Sequence, residues 1–139
     1  MGLIYADIEL VSGEDLVLHR LGQIQESQIK KIKTKALVDS GAYLLAINEN
    51  IKNQLDLKKV DEQEMELANG KIEKVEIVGP IDIRFENRRC NCDAVVLPAN
   101  SEVLLGAIPM EDLDVIIEPK SQTMVVNPES PYLAKKKMK

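Results

Sequence analysis

Nine aspartates occur in this 139-residue chain, and one of them stands apart by what flanks it. Asp39 follows Ala36-Leu37-Val38 and precedes Ser40-Gly41-Ala42, so an apolar run delivers a carboxylate at the end of a strand whose composition suits burial. Ser and Gly then break the run. A carboxylate held there can take or give a proton in general acid–base chemistry. It can equally accept the amide of Gly41 in an Asx-turn, a purely structural use. Hydrolysis of an amide by water needs one carboxylate as base and a second carboxylic acid to polarise the carbonyl. The chain holds a single Asp-Ser-Gly, half of that machinery. A twofold axis through the loop of a second copy would supply the other half.

The remaining reactive side chains form weaker constellations. Cys90 and Cys92 are the only cysteines, and their spacing puts both on one face of a strand. With His19 the only histidine, they cannot complete a four-ligand zinc site in one chain. Reduced structural thiols are the expectation, with a thiol redox or metal pair as the rival use. His19 beside Arg20 reads as a surface residue.

Composition narrows the function classes. Eighteen basic against 23 acidic residues leave a net charge of -5, which argues against nucleic acid or an anionic membrane as partner. The one basic block, Lys135-Lys136-Lys137 with Lys139, reads as a frayed, solvated end. Aromatic residues are Tyr5, Tyr43, Tyr132 and Phe85 only, too few for base stacking, so the core must be aliphatic. No apolar run approaches the roughly 20 residues of a membrane span. The start of the chain shows no signal-peptide pattern, and Ala6 fails the myristoylation pattern after Gly2.

The elements that must position Asp39 are mostly short strands. Apolar residues from Leu3 to Leu10 suggest a first strand, and Ser12 with Asp15 a weak helix start. Further strands are expected over residues 29–39 and 42–47, and Asn48 can cap a helix through about Leu55. Asn69-Gly70 predicts a hairpin with both turn residues at positive φ. Strands follow over 81–85 and 92–97 with Asn87-Arg88 as their turn. Val103-Leu104-Leu105 precedes a helix expected to begin at Pro109 with Glu111 and Asp112 in its first turn. Val115 to Ile117 and Met124 to Val126 close a mainly β domain.

Three of these segments, in this order, resemble the retropepsin-like (clan AA) aspartic peptidases, most of all their small bacterial members. They are Ala36-Leu37-Val38-Asp39-Ser40-Gly41-Ala42 as active-site loop, Ala68-Asn69-Gly70 as flap tip, and Val103-Leu104-Leu105-Gly106-Ala107 as the strand-to-helix segment. The resemblance implies an all-β acid-protease fold with a closed, barrel-like core and one or two short helices. It implies a homodimer that hydrolyses peptide bonds without a cofactor; the thiols and histidine counted above argue for no metal, and reduced thiols without a signal pattern point to the cytoplasm. Residues 1–127 would form the peptidase domain and 128–139 a polar, Lys-rich tail. Asp39 would be the catalytic carboxylate, Ser40 would join the grip between the two loops, and Gly41 and Ala42 would line the site. Asn69 and Gly70 would cover the substrate, while Gly106 would let the following helix approach the loop. The chain departs from the family in having Ser40 where Thr is commoner. It also has Tyr43 where many members carry a small or acidic polar residue. That tyrosine is expected as a half-buried ring with its hydroxyl toward a partner. The alternative is a catalytically silent dimeric β-domain that binds extended peptides or a partner protein.

Overall fold

The computed structural model describes residues 2–138; Met1 and Lys139, the last lysine of the basic block, lie outside the described residues. In chain order the elements are β1 (Tyr5–Ser12), α1 (Gly13–Arg20), a 3-10 turn (Glu26–Gln28), β2 (Lys31–Val38), β3 (Leu45–Asn48) and α2 (Glu49–Gln54). There follow β4 (Lys58–Glu66), β5 (Ile72–Phe85), β6 (Arg88–Leu97), β7 (Val103–Leu105), α3 (Ala107–Leu113), β8 (Val115–Glu118) and β9 (Thr123–Val126).

Seven strands share one sheet in the order β1-β2-β7-β3-β6-β5-β4, and β1 also pairs with β5. That extra pairing closes six strands into a barrel, which leaves β4 as the free edge of this sheet. The expected β-rich closed barrel with few helices is therefore what the sequence adopts. β4 lies outside the ring, paired with β5 alone, so the β4–β5 hairpin extends from the barrel as an arm. β8 and β9 form a separate two-stranded sheet.

Alternation along the strands sorts side chains to the two sides of the wall. Leu10, Leu45, Ile47, Ile81, Ile83 and Leu105 are fully buried in the main core, each stabilising the fold by roughly 1.5–3 kcal/mol. Phe85 is the one aromatic ring among them. A second, smaller cluster lies on the other face. Ile77 is opposite Val95, Val95 opposite Ala46, and Ala46 opposite Leu104, giving an aliphatic stripe across β5, β6, β3 and β7. Val75, and the partly buried Met65, Leu44 and Leu97, pack against this stripe.

Local chemistry sets the boundaries, and several differ from expectation. Ser12 accepts the amide of Asp15 (3.2 Å), so the faint helix signal marks a real N-cap. Asn48 caps α2 by accepting from Ile51 (2.9 Å), as its position suggests. The helix expected at Pro109 begins at Ala107, which leaves Glu111 and Asp112 in its second half. The amides of Ala107 and Ile108 donate to the carbonyls of Ala42 and Tyr43, so the first helical N–H groups are satisfied before the proline is reached. For the same reason residues 42–44 are loop and β3 starts at Leu45.

In the β4–β5 hairpin only Gly70 has positive φ (84°), not Asn69 as well. The amide of Gly70 donates to Leu67 (2.9 Å) and that of Leu67 to Lys71 (2.8 Å), a three-residue loop with its glycine in the left-handed position. The strand expected over 81–85 is continuous with the returning strand of the hairpin, residues 72–85 forming one strand with a register shift between Val78 and Ile81. The turn into β6 is Glu86-Asn87 instead of Asn87-Arg88. Arg88 is instead buried, pairs with Phe85 and reaches Asp114 and the carbonyl of Ser130.

Candidate active site

Three elements, β2, β7 and α3, meet at the Asp39 loop, with Ile4 just before β1 beside them. β2 lies parallel to β7, with Leu37 beside Leu104 and Val38 beside Leu105. Where β2 ends, the amide of Val38 donates to Ile4 (2.8 Å) and that of Asp39 to Leu105 (3.1 Å). Asp39-Ser40-Gly41-Ala42 then form a turn closed by the amide of Ala42 on the carbonyl of Asp39 (3.1 Å). Within it Gly41 donates to Asp39 Oδ1 (2.9 Å), the Asx-turn anticipated as the structural use of this residue. Among the described residues no donor reaches Asp39 Oδ2.

The chain leaving the turn is fixed by α3. Ala42 accepts from Ala107 (2.8 Å) and Tyr43 from Ile108 (3.0 Å). Gly106 is what permits this approach. A Cβ there would lie 2.5 to 2.7 Å from the backbone of Tyr43 and Leu44, too close for any side chain. The main chain around the turn is thus tied to Ile4, just before β1, and to β7 and α3, while among its side chains only Asp39 makes a hydrogen bond, within the turn. Asp39 and Ala42 are half-buried, and Ser40 and Gly41 are exposed. Tyr43 is 73% exposed, not the half-buried ring expected, because its carbonyl rather than its ring meets α3.

Asn69 and Gly70 sit at the exposed tip of the arm, where Asn69 Oδ1 accepts from Lys71 (3.0 Å). No hydrogen bond among the described residues joins them to residues 39–42. The structure therefore gathers Asp39, Ser40, Gly41 and Ala42 in one turn and holds Asn69 and Gly70 separately. Between arm and loop lies the aliphatic stripe. The underside of the arm, with Met65, Val75 and Ile77, packs with Ala46 and Val95, and Leu44 and Leu104 bound the stripe where it meets the loop. An ion pair between Lys52 of α2 and Glu76 of β5 anchors the base of the arm. Sequence reading missed this stripe. Ala46 and Leu104 belong to uninterrupted apolar runs, in which alternation cannot tell one face from the other.

Two surface cavities lie outside the loop. One of about 400 Å³ is lined by Tyr5, Thr34, Lys35, Asn48, Ser101, Glu102 and Val103, another of about 510 Å³ lies between α3 and the chain end, and neither includes Asp39. The second is walled by Lys135, Lys136 and Lys137, which are not simply frayed. The amide of Lys135 donates to Asp114 (2.9 Å), and Lys136 pairs with Asp112 (2.7 Å).

Cys90 and Cys92 share a face of β6 and are unpaired. The Cys90 thiol is pushed far up by the neighbouring Cys92 sulfur and then by burial, which suppresses the reactive thiolate. His19 is exposed, its Nδ1 3.2 Å from the carbonyl of Ile24. No helix among the described residues is long and apolar enough to cross a membrane.

With a closed barrel and a strand-ending Asp-Ser-Gly turn in view, the comparison with known families is direct. The family model described as "gag-polyprotein putative aspartyl protease" matches residues 25–125. The chain belongs to this retropepsin-like aspartyl protease family. The match takes in the Asp39 loop, the arm and the β7–α3 segment; β1, which closes the barrel, precedes it. Among curated proteins none matches the chain.

Proposed function

We propose that the protein is a homodimeric aspartic endopeptidase in which each subunit contributes Asp39. The observation that carries this is the state of that side chain. Its main chain is bound on both sides, one carboxylate oxygen is fixed by Gly41, and the other meets no donor among the described residues. A single chain offers one such group on an open surface rather than in a cleft, and a second copy supplies both the missing carboxylate and the missing wall.

The chemistry follows from two carboxyls sharing a poorly solvated site. At about 3 Å apart both cannot be charged, so the pair holds one proton, and the dyads of aspartic proteases are the known instance of this effect. The ionised Asp39 takes a proton from water as its oxygen bonds to the peptide carbonyl carbon. The protonated Asp39 of the other copy gives its proton to the carbonyl oxygen. Collapse of the resulting diol breaks the C–N bond as the amine nitrogen takes the proton now on the first Asp39 and a diol hydroxyl gives its proton to the second, so that the pair again holds one shared proton. Ser40 would link the two loops, Gly41 and Ala42 would lie along the substrate, and Asn69 and Gly70 would close over it from the arm. The peptidase unit is residues 1–127, with 128–139 as its polar, Lys-rich tail. Two unpaired thiols, Cys90 and Cys92, suit a reducing compartment such as the cytoplasm.

Incubating the protein with a denatured, unstructured protein and reading new termini by mass spectrometry tests this. Cleavage should peak on the acidic side of neutrality and fall on both flanks, should decline on dilution as the dimer dissociates, and should vanish in Asp39→Asn. Cleavage that persists in Asp39→Asn would refute the assignment. Binding without cleavage by the wild type would install the silent peptide-binding domain in its place.

A further inference from the structure

Of the eight asparagines in the chain, only Asn69 is followed by a glycine. That neighbour matters because the amide nitrogen after an asparagine can attack the side-chain carbonyl carbon, and a Cβ on the attacking residue stands in the way. Gly70 has no Cβ, and even an added one would meet nothing within 4 Å, so its surroundings are open.

The structure also sets Asn69 apart by what its side chain does. Asn48, Asn50, Asn87 and Asn127 each donate their side-chain amide to a carbonyl or carboxylate oxygen, at 3.0, 3.1, 2.8 and 3.0 Å. Such a bond holds the –NH2 group in place. Asn69 makes the opposite use of its amide: Oδ1 accepts the main-chain N–H of Lys71 (3.0 Å), and Nδ2 donates to nothing among the described residues. An N–H already aimed at Oδ1 polarises the Cγ carbonyl and stabilises the negative oxygen that attack at Cγ creates. The nitrogen without a partner is the leaving group. Gly70's own amide donates to Leu67 (2.9 Å) and must be released before it attacks. It sits at the exposed tip of an arm paired only through β5, where main-chain bonds open at little cost.

We propose that Asn69 is a site of spontaneous covalent modification, converted to aspartate and isoaspartate through intramolecular attack by the Gly70 amide. The Gly70 nitrogen loses its proton and bonds to Cγ, the Cγ–Nδ2 bond breaks, and Nδ2 leaves with that proton as ammonia. Nothing is oxidised or reduced. Water then opens the cyclic imide. Addition at Cγ gives aspartate; addition at the main-chain carbonyl carbon gives isoaspartate, whose main chain runs through Cβ and Cγ and is one carbon longer. Either product adds a negative charge to an arm that already sets Asp61, Glu62, Glu64, Glu66, Glu73 and Glu76 against four lysines, so repulsion within it grows. The longer main chain also spoils the fit of a loop closed by the Gly70–Leu67 and Leu67–Lys71 bonds. Modification therefore loosens the arm as the protein ages. On the peptidase reading, where the arm closes over substrate, it weakens substrate binding too; the modification itself does not rest on that reading.

The test holds the folded chain for several weeks in mildly alkaline buffer at physiological temperature, beside a urea-denatured sample, Asn69→Gln and Gly70→Ala, and maps each by peptide mass spectrometry. Alkaline buffer is chosen because the attacking nitrogen must give up its proton. The folded wild type should accumulate aspartate and isoaspartate at residue 69 ahead of the other seven asparagines. Gly70→Ala should form them about tenfold more slowly. Aged wild type should show faster amide exchange over residues 58–78 than fresh protein, a change that aged Asn69→Gln does not share. An Asn69 that stays intact in the folded chain would overturn the proposal, and conversion in the denatured sample alone would trace the protection to the hairpin. Conversion spread evenly over the asparagines would overturn it as well, and so would conversion at residue 69 that leaves arm exchange unchanged. Cleavage is a separate readout: KM should rise a few-fold on ageing in the wild type and stay at its own starting value in Asn69→Gln. A constant KM beside a loosened arm would uphold the modification and remove the arm from substrate binding. A chain that never cuts would refute the peptidase reading, while the mass and exchange readouts still decide this proposal.

Discussion

Asp39 and Asp114 begin alike and end differently. Each follows an apolar residue at the end of an element, Val38 of β2 and Leu113 of α3. Asp114, at φ 55°, caps α3 and receives the Ser130 hydroxyl, the Asn127 side-chain amide (3.0 Å) and the Lys135 backbone amide (2.9 Å), with the Arg88 guanidinium 3.6 Å away. These donors, Ser130 first, hold its carboxyl down at about 2. Asp39 receives one amide, from its own turn. A carboxylate saturated with donors is committed to geometry, here to strapping residues 127–135 onto α3. One left half-open is free for a proton or a ligand. The difference lies in what the rest of the chain brings to each residue.

The largest effects should therefore separate the two aspartates completely. Asp39→Asn should lower cleavage by about a thousandfold or more, while shifting stability by no more than about 0.5 kcal/mol, because the turn amide keeps an oxygen to bond. Asp114→Ala should do the reverse: a clearly lower thermal midpoint, since the buried Arg88 loses its counter-charge, with cleavage per folded molecule kept within a few-fold. Paired calorimetry and endpoint mass spectrometry check both. Equal damage to stability from the two substitutions would break the contrast.

Gly106 connects the two regions, since α3 begins there against the Asp39 loop and ends at Asp114. Gly106→Ala forces a Cβ into the backbone of Tyr43 and Leu44, and backbone cannot rotate away as a side-chain tip can. We expect a loss of about 1–3 kcal/mol together with a drop in cleavage beyond what the unfolded fraction explains, measured by urea titration and rate on one sample. Loss of stability alone would mean that α3 does not set the loop.

How much of this was legible in the sequence depends on the range of the forces involved. The Asp39 turn, the Ser12 and Asn48 caps and the β4–β5 hairpin are written by neighbours in sequence, and they were read close to where they occur. The start of α3 was misjudged because its first amides are satisfied by Ala42 and Tyr43, more than sixty residues earlier. Arg88 reads as a turn residue because nothing near it in sequence announces its partner. That partner, Asp114, is set by the fold, as is the strap over α3 in a segment whose composition reads as a frayed end. The outer stripe stayed hidden because β3 and β7 are apolar on both faces.

Asp114 also gives its region a pH signature. Its folded carboxyl sits at about 2, below the roughly 3.9 of an unfolded aspartate, so the strap's stabilisation is fully present above that unfolded value and fades as pH falls toward about 2. Amide exchange of residues 127–135 should accelerate over that interval, ahead of the barrel strands, and Asp114→Ala should remove the pH dependence. Tail exchange that stays flat across the interval would show that the strap does not rest on this carboxylate.

The smallest expected effect belongs to Gly70, and it sharpens the contrast with Gly106. At Gly70 an added Cβ meets nothing within 4 Å, so crowding is absent, and only the positive φ of 84° opposes a side chain. Gly70→Ala should cost about 1 kcal/mol, the penalty of the left-handed conformation alone. That penalty falls on an arm paired only through β5, so it should appear as faster amide exchange in residues 58–78, not as a lower barrel midpoint. If the arm closes over substrate, the same variant should raise KM a few-fold with kcat nearly unchanged. An unaltered KM with measurably looser exchange would show that the arm's tip takes no part in holding peptide, and would confine binding to the stripe and the Asp39 loop.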